Sequence, residues 1–258
     1  MNAPGESERL PSSIGGLVDL GFEAYLARAP LYLLLALSTC VVCAAVDYIA
    51  PAADNNAEAT RLLIIEVIEL LANAFVIGLV ALDVGGRVAS EVPTTRALVQ
   101  GAALRWGRVT IASILVESIV VLTADLAIPS APLDPLAVLV APLVWLLWGT
   151  LALTLPLAAL SAESSGAFAA LTSLVRAFGF GFHPNNFGRL ALLSLATIAP
   201  LLLETVLSDL AALHPFGHAK FWCNFPVDII VAAPLTAVQT AFALDFARRA
   251  GGPGRRRS

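Results

Sequence analysis

Apolar residues fall in six long blocks separated by short polar stretches. The blocks run from Leu31 to Ile49, Leu62 to Leu82, Val109 to Ile128, Leu136 to Leu157, Leu190 to Leu213 and Phe225 to Leu244. A helix crossing the hydrocarbon core of a bilayer needs about 20 largely apolar residues, and each block supplies that length. None of the six contains a lysine or arginine. Pro142, Pro156, Pro200 and Pro234 lie inside three of them, which neighbouring helices tolerate by satisfying the freed carbonyls. The pattern predicts an all-α membrane protein with six transmembrane helices. The first block follows about thirty mixed residues and is long for the apolar core of a cleaved leader, so it reads as an uncleaved signal anchor.

A second pattern lies between the blocks. The stretches before the first, third and fifth spans begin at Ser12, Pro93 and Ser165, and each opens with small or polar residues suited to a helix start. Each continues as a short amphipathic run and reaches an arginine where the apolar span begins. In the first, Ile14, Leu17, Val18, Phe22 and Tyr25 recur at helical spacing, with Asp19, Glu23 and Arg28 opposite. Such a helix can lie in the membrane interface with its apolar face down. The expectation is three hairpins of like orientation, each preceded by a cytoplasmic interfacial helix.

Charge fixes the direction. Thirteen arginines fall in the N-terminal segment, the second and fourth loops and the C-terminal tail, whereas the alternate loops hold only Arg61 and Lys220. Basic loops stay on the cytoplasmic side, so both termini are expected in the cytoplasm. Residues 1–247 read as one membrane domain and 248–258 as a flexible Arg-rich tail against the anionic inner leaflet. Arg28, Arg105, Arg108, Arg189, Arg248 and Arg249 are the expected surface anchors, and lipid is the expected partner, with a membrane-protein partner left unnamed. Composition agrees: 58% of residues are hydrophobic and 13% charged, about half the charge a soluble domain carries. Mean hydropathy is +0.84. No nucleic-acid module is visible.

The run Trp148–Ala177, WGTLALTLPLAALSAESSGAFAALTSLVRA, ends a span in Pro-Leu-Ala residues, then gives an acid, a small residue and an Ala-Leu-x-Ser helix. Through Pro156, Glu163, Gly166, Ala170, Leu171 and Ser173 it resembles bacterial six-span proteins that include the membrane domain of glycerophosphodiester phosphodiesterases. The segment Gly85–Arg108 resembles an earlier loop of the same proteins. The resemblance implies a bacterial inner-membrane architecture. The chain has no room for the soluble phosphodiesterase barrel, and the basic residue usual beside the Ser173 position is missing.

Acids inside spans are costly and mark candidate sites. Glu66, Glu69 and Asn73 share one face of the second span, and Glu117 sits mid-way along the third with Ser113 a turn away and Asp125 further out. Thr197, Glu204 and Ser208 line up on the fifth span, and Asp228 and Gln239 share a face of the sixth. One reading is a polar cavity for a cation, proton or zwitterion built from Glu66, Glu69, Asn73, Glu117, Glu204 and Asp228. The other is neutral carboxyls that hydrogen-bond adjacent helices.

The remaining signals point to structure. Cys40 and Cys43 have redox spacing but lie in an apolar run, where a low dielectric keeps thiols inert. His214, His218 and Cys223 are near one another, but Pro215 and Gly217 break the helix a zinc site would use, so no metal and no cofactor are expected. Ala233, Ala237 and Ala241 form a small-residue ridge for close helix packing. Trp106 and Trp222 suit the interfacial belts; Trp145 and Trp148 suit the bundle. His183-Pro184-Asn185-Asn186 reads as a turn. With no nucleophile elbow, metalloprotease helix or phosphate loop, the expected role is non-enzymatic, structural or partner-binding, and the alternative is a small transporter or channel.

Overall fold

A computed structural model describes residues 10–49, 55–127, 135–162, 166–212 and 231–251. The described residues are helical, with no strand among them. Helix α1 is Ile14–Ile49, α2 Asn55–Val88, α3 Thr95–Ala127, α4 Pro135–Ala152, α5 Thr154–Leu160, α6 Gly166–Gly181, α7 Phe187–Ala212 and α8 Ala233–Gly251. Four apolar stretches of these helices are long enough to cross a membrane: Ile14–Ile49, Ala57–Val88, Thr95–Ala124 and Leu139–Leu160. The architecture is that of an all-helical membrane protein.

Local chemistry sets where these helices begin and bend. The Ser13 hydroxyl accepts from the Gly16 N–H at 3.1 Å and starts α1; the Thr94 hydroxyl accepts from Ala97 N–H at 3.2 Å and starts α3, the usual N-cap arrangement. Within α1, Arg28 leaves helical geometry at φ −132° and ψ 16°. Pro30 causes the break, because it has no N–H for the Leu26 carbonyl and its ring crowds that oxygen. The expected bend between interfacial helix and first span is therefore at Arg28 itself. A tight turn at Leu153 separates α4 from α5, its N–H reaching the Thr150 carbonyl at 3.1 Å; Pro156 likewise leaves the Ala152 carbonyl without its helical donor. The expected turn at His183–Asn186 is a single 3₁₀ turn, Pro184–Asn186, capped by the His183 imidazole.

The second leading helix differs from expectation. Residues 95–127 form one helix with no bend before the span, since no proline interrupts the run and Gly107, with open space around it, does not by itself break a helix. The first leading helix also turns a different face to the protein. It buries Leu17, Gly21 and Ala24, whereas Phe22 is 47% exposed.

The packing order is circular. Gly21 of α1 lies against α8, where an added Cβ would meet the Val238 Cα at 2.8 Å. Gly78 of α2 faces Ala102 of α3, and Gly181 of α6 faces Thr150 of α4. The start of α1 thus packs on α8, the start of α3 on α2, and α6 on α4 and α5. The second arms α2, α5 and α8 meet inside. There the ridge Ala233, Ala237 and Ala241 is buried with Leu79, Val84 and Phe246. Trp148 belongs to a second apolar cluster with Val116, Val144, Leu151 and Ile198, and its indole N–H donates to the Thr123 hydroxyl at 2.9 Å.

Candidate functional site: arginine clamps at one end of the bundle

Two carboxylates with no side-chain exposure lie at the arginine-rich end. Asp83, near the end of α2, pairs with Arg28 Nε at 3.1 Å and Arg87 Nε at 3.3 Å, and accepts from the Tyr32 hydroxyl at 3.4 Å. Arg28 continues outward, donating to the Thr95 hydroxyl at 2.9 Å and to the Pro93 carbonyl. It ties α1, α2 and the following loop into one joint.

Asp245, near the end of α8, has three arginines. Arg189 Nη1 is 2.8 Å away, Arg248 Nη2 2.5 Å and Arg249 Nε 2.7 Å. These guanidinium groups also grip the leading segment of the chain. Arg248 donates to the Leu10 carbonyl at 2.9 Å and the Pro11 carbonyl at 3.2 Å; Arg249 and Arg189 donate to the Ser12 carbonyl. Buried Asn186 completes the joint by donating to the Phe180 and Phe246 carbonyls at 2.8 and 3.3 Å. Arg248 and Arg249 sit in the last turn of α8, where the helix dipole favours cations.

Between α3 and the end of α5 the same joint recurs with a different acceptor. Helix α5 ends at Leu160, leaving carbonyls without helical donors, and Arg108 Nη1 donates to the Ser161 carbonyl at 2.7 Å. The partners Arg28 and Asp83 are 55 residues apart, Arg108 and Ser161 53, and Arg189 and Asp245 56. The local sequences agree: Ala81-Leu82-Asp83 and Ala243-Leu244-Asp245 each have an arginine four residues on, and Ala159-Leu160-Ser161 stands in the third place. Three arginines, Arg28, Arg108 and Arg189, each clamp a carboxylate or carbonyl 53 to 56 residues further along the chain.

The anchors expected at the membrane surface therefore divide. Arg28, Arg108, Arg189, Arg248 and Arg249 are in the clamps. Arg105 is half-buried and donates to the Gly101 carbonyl one turn back at 3.2 Å. Arg248 and Arg249, expected in a flexible tail, lie inside α8, which runs to Gly251; the rest of the tail lies outside the described residues.

Of the residues expected in a polar cavity, Glu66, Asn73 and Glu117 are exposed and Glu69 is half-buried. Glu69 and Asn73 border a crevice of about 40 Å³ with Tyr32, Thr39, Cys40 and Ala232, room for a water or two. Glu204 is on α7 in a stretch whose side chains are not described, and Asp228 lies outside the described residues, as do His214, His218, Cys223 and Trp222. Gln239 is buried and reaches the Thr197 hydroxyl at 3.5 Å. Trp106 donates to the Leu71 carbonyl at 2.7 Å and meets Phe75 edge-on, which fixes α3 to α2.

Sequence reasoning missed Asp83 and Asp245 because each stands one residue past its apolar block, where an acid looks like an ordinary loop residue. The signal that finds them is the repeated Ala-Leu-Asp-x-x-x-Arg. No protein-family model, curated protein or solved structure matches this chain.

Proposed function

We propose that this chain is a six-span protein of the bacterial inner membrane with both termini in the cytoplasm. Three hairpins would each be led in by an amphipathic helix at the inner face, and the role would be non-enzymatic, structural or partner-binding. The supporting observation is the clamp repeated at separations of 55, 53 and 56 residues. Its three arginines all belong to the positive side of the charge asymmetry, so a single orientation satisfies both. The last two helices complete six crossings, because α7 and α8 continue the same alternation.

The resemblance to the membrane domain of glycerophosphodiester phosphodiesterases belongs to this reading at the level of architecture. Anionic inner-leaflet lipids are the proposed contact for the basic face, through Arg105 and the part-exposed faces of the clamp arginines. The alternative reading is a small transporter or channel for a cation, proton or zwitterion that uses the intramembrane acids.

Two measurements test the proposal. With the native cysteines removed, Glu91→Cys should react with a membrane-impermeant maleimide only after permeabilisation, and Glu58→Cys should react in intact cells. The opposite labelling would overturn the orientation. In liposomes, the protein and its Glu117→Gln, Glu204→Gln variant should show the same background ion leak; a flux lost in the variant would overturn the non-transporting role.

A further inference from the structure

At the arginine-rich end a cavity of about 480 Å³ opens between the start of α1, the end of α2 and the loop after it. Its walls are Pro11, Gly16, Leu20, Ala24, Ser90 and Val92, and three charged side chains line it: Asp19, Glu23 and Arg87. The size falls in the range of small-molecule sites, roughly 300–1,000 Å³.

The walls are fixed before any ligand arrives. Arg248 and Arg249 hold the carbonyls of Pro11 and Ser12. Arg28 holds Thr95 and the Pro93 carbonyl beyond the loop. The loop itself closes back on α2 through the Glu91 N–H and the Gly86 carbonyl at 2.8 Å. A pre-ordered wall lowers the entropic cost of binding.

The charges are unusual for this end of the molecule. Asp83 and Asp245 each meet two or three arginines. Asp19 and Glu23 stand one turn apart on α1, and among the described residues neither makes an ion pair or hydrogen bond. Like charges at this spacing repel, and a cation placed between them removes that cost. Arg87 gives the same cavity a positive side: its pair with Asp83 runs through Nε, and its side chain is 22% exposed. On the same helix as Glu23, Phe22 and Leu26 are 47% and 65% exposed, an apolar surface next to the polar site.

We propose that this cavity binds a primary ammonium joined by a short linker to a phosphate, as in an ethanolamine phospholipid headgroup. The ammonium lies between Asp19 and Glu23 and the phosphate on Arg87. The two carboxylates repel a purely anionic headgroup, and a quaternary ammonium has no N–H to give them. Placing the cavity at headgroup depth rests on the orientation proposed above; the charge arrangement does not.

The test uses the full chain. Protein from nanodiscs holding equal phosphatidylethanolamine, phosphatidylcholine and phosphatidylglycerol is released for native mass spectrometry. Phosphatidylethanolamine should be retained roughly tenfold over the other two, the effect of one charge-assisted hydrogen bond. Asp19→Asn with Glu23→Gln should abolish the preference without lowering the melting temperature, both side chains being exposed; should that pair misfold, Asp19→Asn alone serves. Soluble glycerophosphoethanolamine added in detergent distinguishes the sources. Thermal stabilisation by it assigns the site to the headgroup alone, and stabilisation by the lipid only assigns it to a membrane lipid. Equal retention of the three lipids, or a preference that survives the substitutions, overturns the site. Reversed maleimide labelling would overturn the orientation while leaving the detergent result readable.

Discussion

Asp83 has no exposed surface, and its neighbours Arg28, Arg87 and Tyr32 are the groups that make its charge tolerable there. Removing one partner of a buried pair costs about 3–5 kcal/mol, because the remaining charge is left uncompensated. Arg28→Ala should fall at the lower end, since Arg87 stays. In a double-mutant cycle, Arg28→Ala with Asp83→Ala should be less destabilised than the sum of the singles by roughly 0.5–3 kcal/mol. Thermal or denaturant unfolding in detergent reads this coupling, and simple additivity would mean the pair carries no energy. Glu66 and Glu117 are the counter-case, since both are exposed within spans. Their replacement by leucine should leave the melting temperature unchanged or raise it, because an acid facing hydrocarbon is itself costly.

At the scale of elements, small residues decide how closely the helices approach. An added Cβ on Gly21 would meet the backbone of Val238 at 2.8 Å, and one on Gly149 would meet the Ser194 Cα at 2.9 Å. Backbone cannot move aside as a flexible side chain can, so Gly21→Ala should destabilise by about 1–3 kcal/mol, the usual cost of overpacking. Gly15→Ala on the same helix meets nothing within 4 Å and should be neutral, or stabilising by up to about 1 kcal/mol through helix propensity. Comparing the two melting temperatures separates packing from propensity; equal effects would refute the close approach of α1 and α8. Gly86 has its own constraint, since a Cβ there would sit 2.5 Å from the Glu91 carbonyl that the loop folds back over it.

The whole molecule is closed by its ends. The last turn of α8 holds residues 10–12 through Arg248 and Arg249, while Gly21 packs on Val238, so the described helices are closed by contacts separated by nearly the full length of the chain. Arg248→Ala with Arg249→Ala should loosen the leading segment by releasing the Leu10 and Pro11 carbonyls, while Arg189 keeps Asp245 paired and still holds Ser12. Limited proteolysis followed by mass spectrometry should then show faster cleavage near residues 10–13, with the spans intact. An unchanged cleavage rate would show that the latch does not hold the segment.

Much of this was legible in the residues. The length and polarity of the apolar blocks dictate helices, because only a helix satisfies its own backbone over 20 apolar residues, and the capping residues Ser13 and Thr94 stand where the helices start. The three leading segments are visible as a repeat, and so is the turn at His183. What one sequence leaves open is which face of each helix meets which neighbour. Glu66 and Glu117 have the same local pattern whether they point inward or outward, and only tertiary packing decides between the two. Asp83 and Asp245 gave no signal as acids one residue past a span, for the converse reason. Their partners lie 55 and 56 residues away, and a charge acquires its meaning from what folding brings within about 3 Å of it.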